Sequence, residues 1–242
     1  MKETHIQSEG KGLIDIKGNT DSGIFFHNKQ PRVVAWEMDW NTLMNFFVGD
    51  VPDKQSFYLE KYFELSDLLK QGNLEEKGLV EILKPFMKML SNATYELEVI
   101  EYDYTHFMLI ACKKQDVSYV DDKELRLDYK SHSFYSGSDP YPLYGTQQYL
   151  NKDRVYFYEN LIKQGKSPLP IILKIKDGSV NFIIDGHHKT QAYLRQGKRI
   201  SAIEISKVNN WEIETEKFEQ IIRSFSEDKE LLESFKYLNE NR

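Results

Sequence analysis

The run from Leu169 to Ser206, LPIILKIKDGSVNFIIDGHHKTQAYLRQGKRISAIEIS, leaves the chain little choice of local structure. Two short apolar segments flank Asp177-Gly178, a dipeptide that favours an antiparallel hairpin turn. The second segment stops at Asp185-Gly186. HHKTQAYLRQ then reads as a short helix ending at Gly197, and ISAIEIS as a further strand. A hairpin, a helix and a returning strand so close in sequence predict an α+β arrangement.

The turn between strand and helix is the place where chemistry is expected. Gly186 lacks a Cβ, so the backbone can turn tightly there and approach a ligand. The residues after it open a helix whose first N–H groups have no internal acceptor, and those donors with the helix dipole suit an anion. His187, His188 and Lys189 add side-chain donors at the same spot. His187 titrates near neutrality in water and is a candidate general acid or base. Asp185 is a candidate base or Mg²⁺ ligand. Adjacent helical residues point about 100° apart, which argues against His187 and His188 chelating one metal ion. Metal coordination and a pair of histidines that merely cap the helix remain as alternatives.

IIDGHHKTQAYLRQGKRISAIEI, with PIILKIKDGSVNF before it, resembles the ParB/sulfiredoxin-like fold over residues 125 to 206. In that family a Gly-x-His-Arg or Asp-Gly-His-His-Arg turn opens a short helix and holds nucleotide phosphates: ATP in sulfiredoxins, ADP or ATP in free serine kinases, CTP in ParB proteins. The resemblance implies that Gly186, His188 and Lys189 take the places of the family's glycine, histidine and arginine, and that KDRV places Arg154 as a phosphate contact. Lysine keeps the charge but lacks the bidentate fork of arginine. His187 stands where sulfiredoxins carry their reactive cysteine, which excludes that repair chemistry. Serine kinases use a glutamate near the start of the upstream helix. Here that region reads GTQQYLNKD, without one.

The expectation is therefore a protein that binds ATP or ADP (CTP being possible) with Mg²⁺. It would act as a phosphotransferase on a small hydroxylated substrate, with Asp185 and His187 as catalytic groups. Gly186, His187, His188, Lys189 and Arg154 would bind the nucleotide, and no resident metal site is expected. The alternatives are a non-catalytic nucleotide-sensing module and a ParB-like nuclease.

Upstream, GLIDIKG, GIFFHN and RVVAWEM read as short strands, and the first ten residues as a tail. Tyr58, Tyr62, Leu65 and Leu69 share one helical face. Leu79, Ile82, Leu83, Phe86 and Leu90 share another, with Pro85 expected to kink that helix or mark a later start. TYELEVIEY and HFMLIAC read as a hairpin turning near 103 to 105. SFYSGSDPYPLYGTQQ reads as a loop or extended arm that fits a lid, a contact surface, or a surface loop pinned to the core by its tyrosines. YLNKDRVYFYENLIKQG is a helix with Leu150, Phe157 and Leu161 on its apolar side. Phe218, Ile221, Ile222 and Phe225, then Leu231, Leu232, Phe235 and Leu238, line two terminal helices. These features predict an α+β unit over 1–120 whose role the sequence does not assign. A ParB/sulfiredoxin-like nucleotide-binding module over 121–210 follows, and then helices over 211–242 packing on that module.

Charge narrows the partners. The net charge of −6 supplies no global field for nucleic acid or anionic membranes. A protein partner is expected at the N-terminal unit. Cys112, the single cysteine, excludes an intrachain disulfide and reads as a buried apolar residue. The polar N-terminus and the lack of a long apolar run make the cytoplasm the expected compartment.

Overall fold

A computed structural model describes residues 2–39, 43–49, 69–70, 72, 78–102, 109–110, 124–126, 132–135, 143–147, 149–208, 213–227 and 229–240. The chain is an α+β protein. In order, the strands are β1 (Lys2–Gln7), β2 (Ile14–Gly18), β3 (Ser22–His27), β4 (Gln30–Asp39) and β5 (Leu43–Gly49). Helix α1 (Leu79–Met87) follows, then β6 (Ala93–Tyr102), β7 (Leu109–Ile110), β8 (Glu124–Arg126), β9 (His132–Tyr135), β10 (Leu143–Gly145) and β11 (Tyr149–Asn151). Helix α2 (Lys152–Lys163), β12 (Ile171–Ile175), β13 (Asn181–Asp185), α3 (His187–Arg195) and β14 (Ile200–Lys207) lead to α4 (Thr215–Phe225) and α5 (Lys229–Glu240).

Strands β2 to β5 form an antiparallel meander completed by β9. Period-two patterning gives this five-stranded sheet two apolar faces. Ile14, Ile16, Phe25, Val33, Ala35 and Phe47 point to the main core, while Ile24, Val34, Trp36, Phe46 and Val48 point to the other side. Phe218 and Ile222 of α4, with Leu231, Leu232 and Phe235 of α5, cover that second face. Trp36 stacks on Phe46 at 5.5 Å and meets the edge of Phe235, and its indole N–H donates to Ser234 Oγ at 3.2 Å. The C-terminal helices thus contact β4 and β5 of the N-terminal sheet, where the sequence had suggested packing on residues 121–210. A helix pair's apolar stripe says that it packs, and the sheet with an uncovered apolar face decides where.

The second sheet has seven strands in the order β1-β6-β14-β12-β13-β10-β7. The block β14-β12-β13-β10, from beyond residue 120, sits between β6 and β7, from before it, so no spatial boundary follows that position. Residues 2–7 are strand β1, paired antiparallel to β6, and not a tail. Among the described residues, β6 and β7 do not form the expected hairpin: β7 pairs in parallel with β10 at the far end of the sheet. Alternation reports a strand but not its neighbour. Residues 143–145, expected in a loop, lie between β13 and β7 with Leu143 and Tyr144 fully buried. The helix expected around Tyr58 to Leu65 and the position of Cys112 fall outside the described residues.

An aromatic seam joins the sheets: Phe47 lies 6.0 Å from Tyr144, which lies 5.9 Å from Phe182, itself 5.8 Å from Phe25. A buried ion pair crosses the same junction. Lys207 Nζ donates to Asp15 Oδ1 at 2.5 Å and to the Ile16 carbonyl at 3.0 Å, and Ser91 Oγ donates to the same Asp15 oxygen at 2.6 Å. Burial lowers the pKa of the Lys207 ammonium, against the opposing pull of Asp15.

Helix α1 begins at Leu79, with Pro85 inside its last turn, so the proline does not mark the start. Gly78 offers no capping side chain. Glu3 of β1 supplies the acceptor instead, taking the Leu79 N–H at 2.7 Å and the Val80 N–H at 3.0 Å. In α2 the buried residues are Val155, Glu159 and Ile162, whereas Phe157 is 48% exposed. The expected apolar face of that helix is therefore rotated.

Candidate functional site

Strand β13 delivers Asp185 to Gly186, whose φ of 88° lies in the left-handed region. A Cβ at this position would stand 2.6 Å from Pro170 Cα, so glycine is required both by conformation and by space. Helix α3 starts at once, and its first internal bond runs from the Thr190 N–H to the Gly186 carbonyl at 2.8 Å. The N–H groups of His187, His188 and Lys189 precede that bond.

The side chains behave differently from expectation. His187 is 1% exposed, and its Nε2 accepts the Thr146 N–H at 2.8 Å; the Thr146 hydroxyl in turn donates to the Ile183 carbonyl at 2.6 Å. His188 Nε2 accepts the Asn151 N–H at 2.9 Å. An imidazole that accepts at Nε2 is neutral and carries its proton on Nδ1. Burial pushes His187 down to about 3, with help from His188. His188 is pushed down to about 4 by burial and then by Arg154, with Asp185 opposing. Neither ring is a near-neutral proton shuttle, and at each Nε2 the bond is accepted from backbone rather than donated to a ligand.

Lys189 is buried as well. Its Nζ donates to Asp185 Oδ2 at 2.8 Å and to the Leu169 carbonyl at 2.9 Å, and lies 6.0 Å above the Tyr158 ring. The lysine thus pins both ends of the β12–β13 hairpin to α3. Of the six residues singled out, Asp185, Gly186, His187, His188 and Lys189 form this turn, and Arg154 reaches it from α2. Arg154 is exposed in the first turn of α2, and its charge acts on both His188 and Tyr158.

Asn151, Thr146 and Tyr158 were not foreseen. Asn151 caps α2, its side-chain oxygen accepting the Arg154 N–H at 3.0 Å. An asparagine just before the charged helix start was the readable signal. Through the His188 bond this cap fastens the amino end of α2 to the amino end of α3. Tyr158 sits one turn beyond Arg154, pushed up to about 12 by burial and by the charge of Asp185. Thr146 had no local signal, because its role depends on β10 lying beside β13.

Among the described residues no group of three or more His, Cys, Asp or Glu side chains is arranged to hold a metal ion. No helix among them is long and apolar enough to cross a membrane. No protein-family model, curated protein or solved structure matches the chain.

The two buried imidazoles make stability acid-sensitive. Both are neutral in the folded chain and take up a proton near pH 6.5 once unfolded. Between about 6.5 and the folded values of about 4 and 3, the unfolded state holds more protons, so stability falls as pH falls. The expected loss is up to about 1.4 kcal/mol per pH unit for each ring. Urea midpoints measured from pH 7 to pH 5 should decline, and His188→Gln should roughly halve the slope. A flat profile would contradict the burial of the rings.

Proposed function

We propose that the chain binds the phosphates of a nucleotide, ATP or ADP, at the joined amino ends of α2 and α3. The observation that carries this reading is the His188–Asn151 hydrogen bond, which brings two helix N-termini and Arg154 together beside Gly186. Backbone N–H groups, two helix dipoles and one guanidinium would receive the phosphate. The histidines and Lys189 act behind them by fixing the turn. CTP presents the same phosphates, and the base preference follows from contacts outside the turn. Mg²⁺ would arrive with the phosphates, as it commonly does with only one or two protein carboxylates, and Asp185 would be the carboxylate to meet it.

Binding without transfer has the better support of the two nucleotide readings. Asp185 Oδ2 is held by Lys189, and His187 Nε2 is held by the Thr146 N–H, so both candidate catalytic groups already serve the turn. A kinase acting on a small hydroxylated substrate would need Asp185 released from Lys189.

The test is a thermal-shift screen of ATP, ADP, CTP and GTP with Mg²⁺. A shift is expected with at least one adenine nucleotide. Arg154→Gln should weaken its binding roughly tenfold, since a charge-assisted phosphate contact is lost. Absence of a shift with all four would remove the nucleotide reading. Steady nucleotide turnover with a hydroxylated metabolite would restore the kinase.

A further inference from the structure

Away from that turn, a groove of about 410 Å³ opens between α1 and the segment that leads into β2, lined by Lys11, Leu13, Glu81, Lys84, Pro85, Lys88 and Met89. We propose that this groove is a second binding site, for a small amphiphilic anion with an oxyacid head and an apolar body.

The site is rigidly assembled. The Lys11 N–H donates to the Lys88 carbonyl at 2.9 Å, and the Leu13 N–H donates to the Met89 carbonyl at 2.8 Å, so the two walls are stitched together. Lys84 lies in the last turn of α1 and Lys88 caps it one turn further on, and the first of those bonds sets Lys11 beside them. All three lysines are exposed, and none forms an ion pair among the described residues. Glu81 is the one carboxylate among the lining residues.

Like charges at i, i+4 repel, and here they do so in a protein whose overall charge is −6. An anion in the groove relieves that repulsion. Leu13, Pro85 and Met89 give the walls apolar surface that inorganic phosphate cannot use. Pro85 also has no N–H for the Glu81 carbonyl, so the usual i+4 backbone bond is missing at this point of the helix. The volume is in the range of small-molecule pockets, roughly 300 to 1,000 Å³. Cationic rim, apolar floor and size together define the ligand: a carboxylate or phosphate carried on a short hydrocarbon or ring.

The test uses the full chain with ¹³C-methyl methionine, because Met89, buried to 7% exposure, lines the groove, while Met87 nearby, also buried, does not. Hexanoate and hexyl phosphate are titrated, with hexanol and inorganic phosphate as controls lacking the head or the body. Saturable movement of the Met89 methyl signal is expected with the two amphiphilic anions, with Met87 unmoved. Lys84→Gln and Lys88→Gln should each weaken binding roughly fivefold, more at low salt than at high salt. Glutamine matches lysine in helix propensity at Lys84, and Lys88 caps the helix through its backbone N–H, so both variants keep the helix.

A response to hexanol equal to that of hexanoate would overturn the proposal, as would titration curves unchanged in the lysine variants. No Met89 movement with either anion would do the same. If vesicles containing an anionic lipid bind through these lysines while the soluble anions do not, the site belongs to a membrane surface and the small-ligand reading is wrong. None of these outcomes depends on the nucleotide turn, which lies on other elements.

Discussion

Replacing Asp15 by alanine is expected to remove about 3 to 5 kcal/mol of folding stability, the usual cost of stranding one member of a buried ion pair. Lys207 is 2% exposed at its side chain and has Asp15 as its only salt-bridge partner among the described residues. Without the carboxylate its ammonium keeps the Ile16 carbonyl but no counter-charge, and Ser91 Oγ loses the acceptor it shares. Burial already disfavours the charged lysine in the intact protein, so the variant should respond partly by releasing the proton. That response predicts a stability that recovers as pH rises toward 10. The double variant Asp15→Ala/Lys207→Met should regain most of the loss, because removing both partners leaves no uncompensated charge. Urea denaturation of the three proteins at pH 7 tests this. A double variant no more stable than Asp15→Ala would mean that the pair also supplies the geometry of the junction.

Gly186→Ala should be comparably damaging, for a different reason. The left-handed φ costs a residue with a Cβ about 1 to 2 kcal/mol. The contact of 2.6 Å with Pro170 Cα adds an overpacking cost of about 1 to 3 kcal/mol, since backbone cannot move aside as a side-chain tip can. Displacing α3 would also disturb the Lys189 and His188 bonds that hold the turn, so nucleotide binding should be lost along with stability. Gly186→Asn separates the two causes, because asparagine tolerates the left-handed region but still carries a Cβ. Denaturant midpoints should place it near alanine. A midpoint near the parent protein's would show that conformation alone, and not the approach to Pro170, requires glycine there.

The parts of the fold that were legible in the sequence are those made by neighbours. Asp177 adopts a φ of 59° and the Gly178 N–H closes on the Ile175 carbonyl at 3.0 Å, so the hairpin is built from residues adjacent in the chain. The strand-to-helix turn at Gly186 was readable on the same ground. β7 and β10 were misplaced because parallel pairing at a sheet edge depends on distant strands, and alternation carries no trace of it. At the turn, Asp185 to Lys189 lie together as their adjacency requires, but their side chains bond differently from the expectation. His187 and His188 were read as donors because nothing local reveals that Thr146 and Asn151 bring backbone N–H groups to their rings. Lys189 was read as a phosphate ligand because its nearest counter-charge, Asp185, was assigned a catalytic part instead.

Strand β14 has a consequence for how the molecule can be made and divided. It is placed between β6 and β12, and so pairs with residues more than ninety positions upstream as well as with its own hairpin. During synthesis, β1 and β6 emerge long before it and wait as a two-stranded ribbon with an open edge, a marginal and adhesive state. Folding should therefore be slow and late, with the large sheet closing only after residue 207 is available. A fragment ending near residue 120 would keep that edge permanently open, and should be recovered as aggregate rather than as an independent domain.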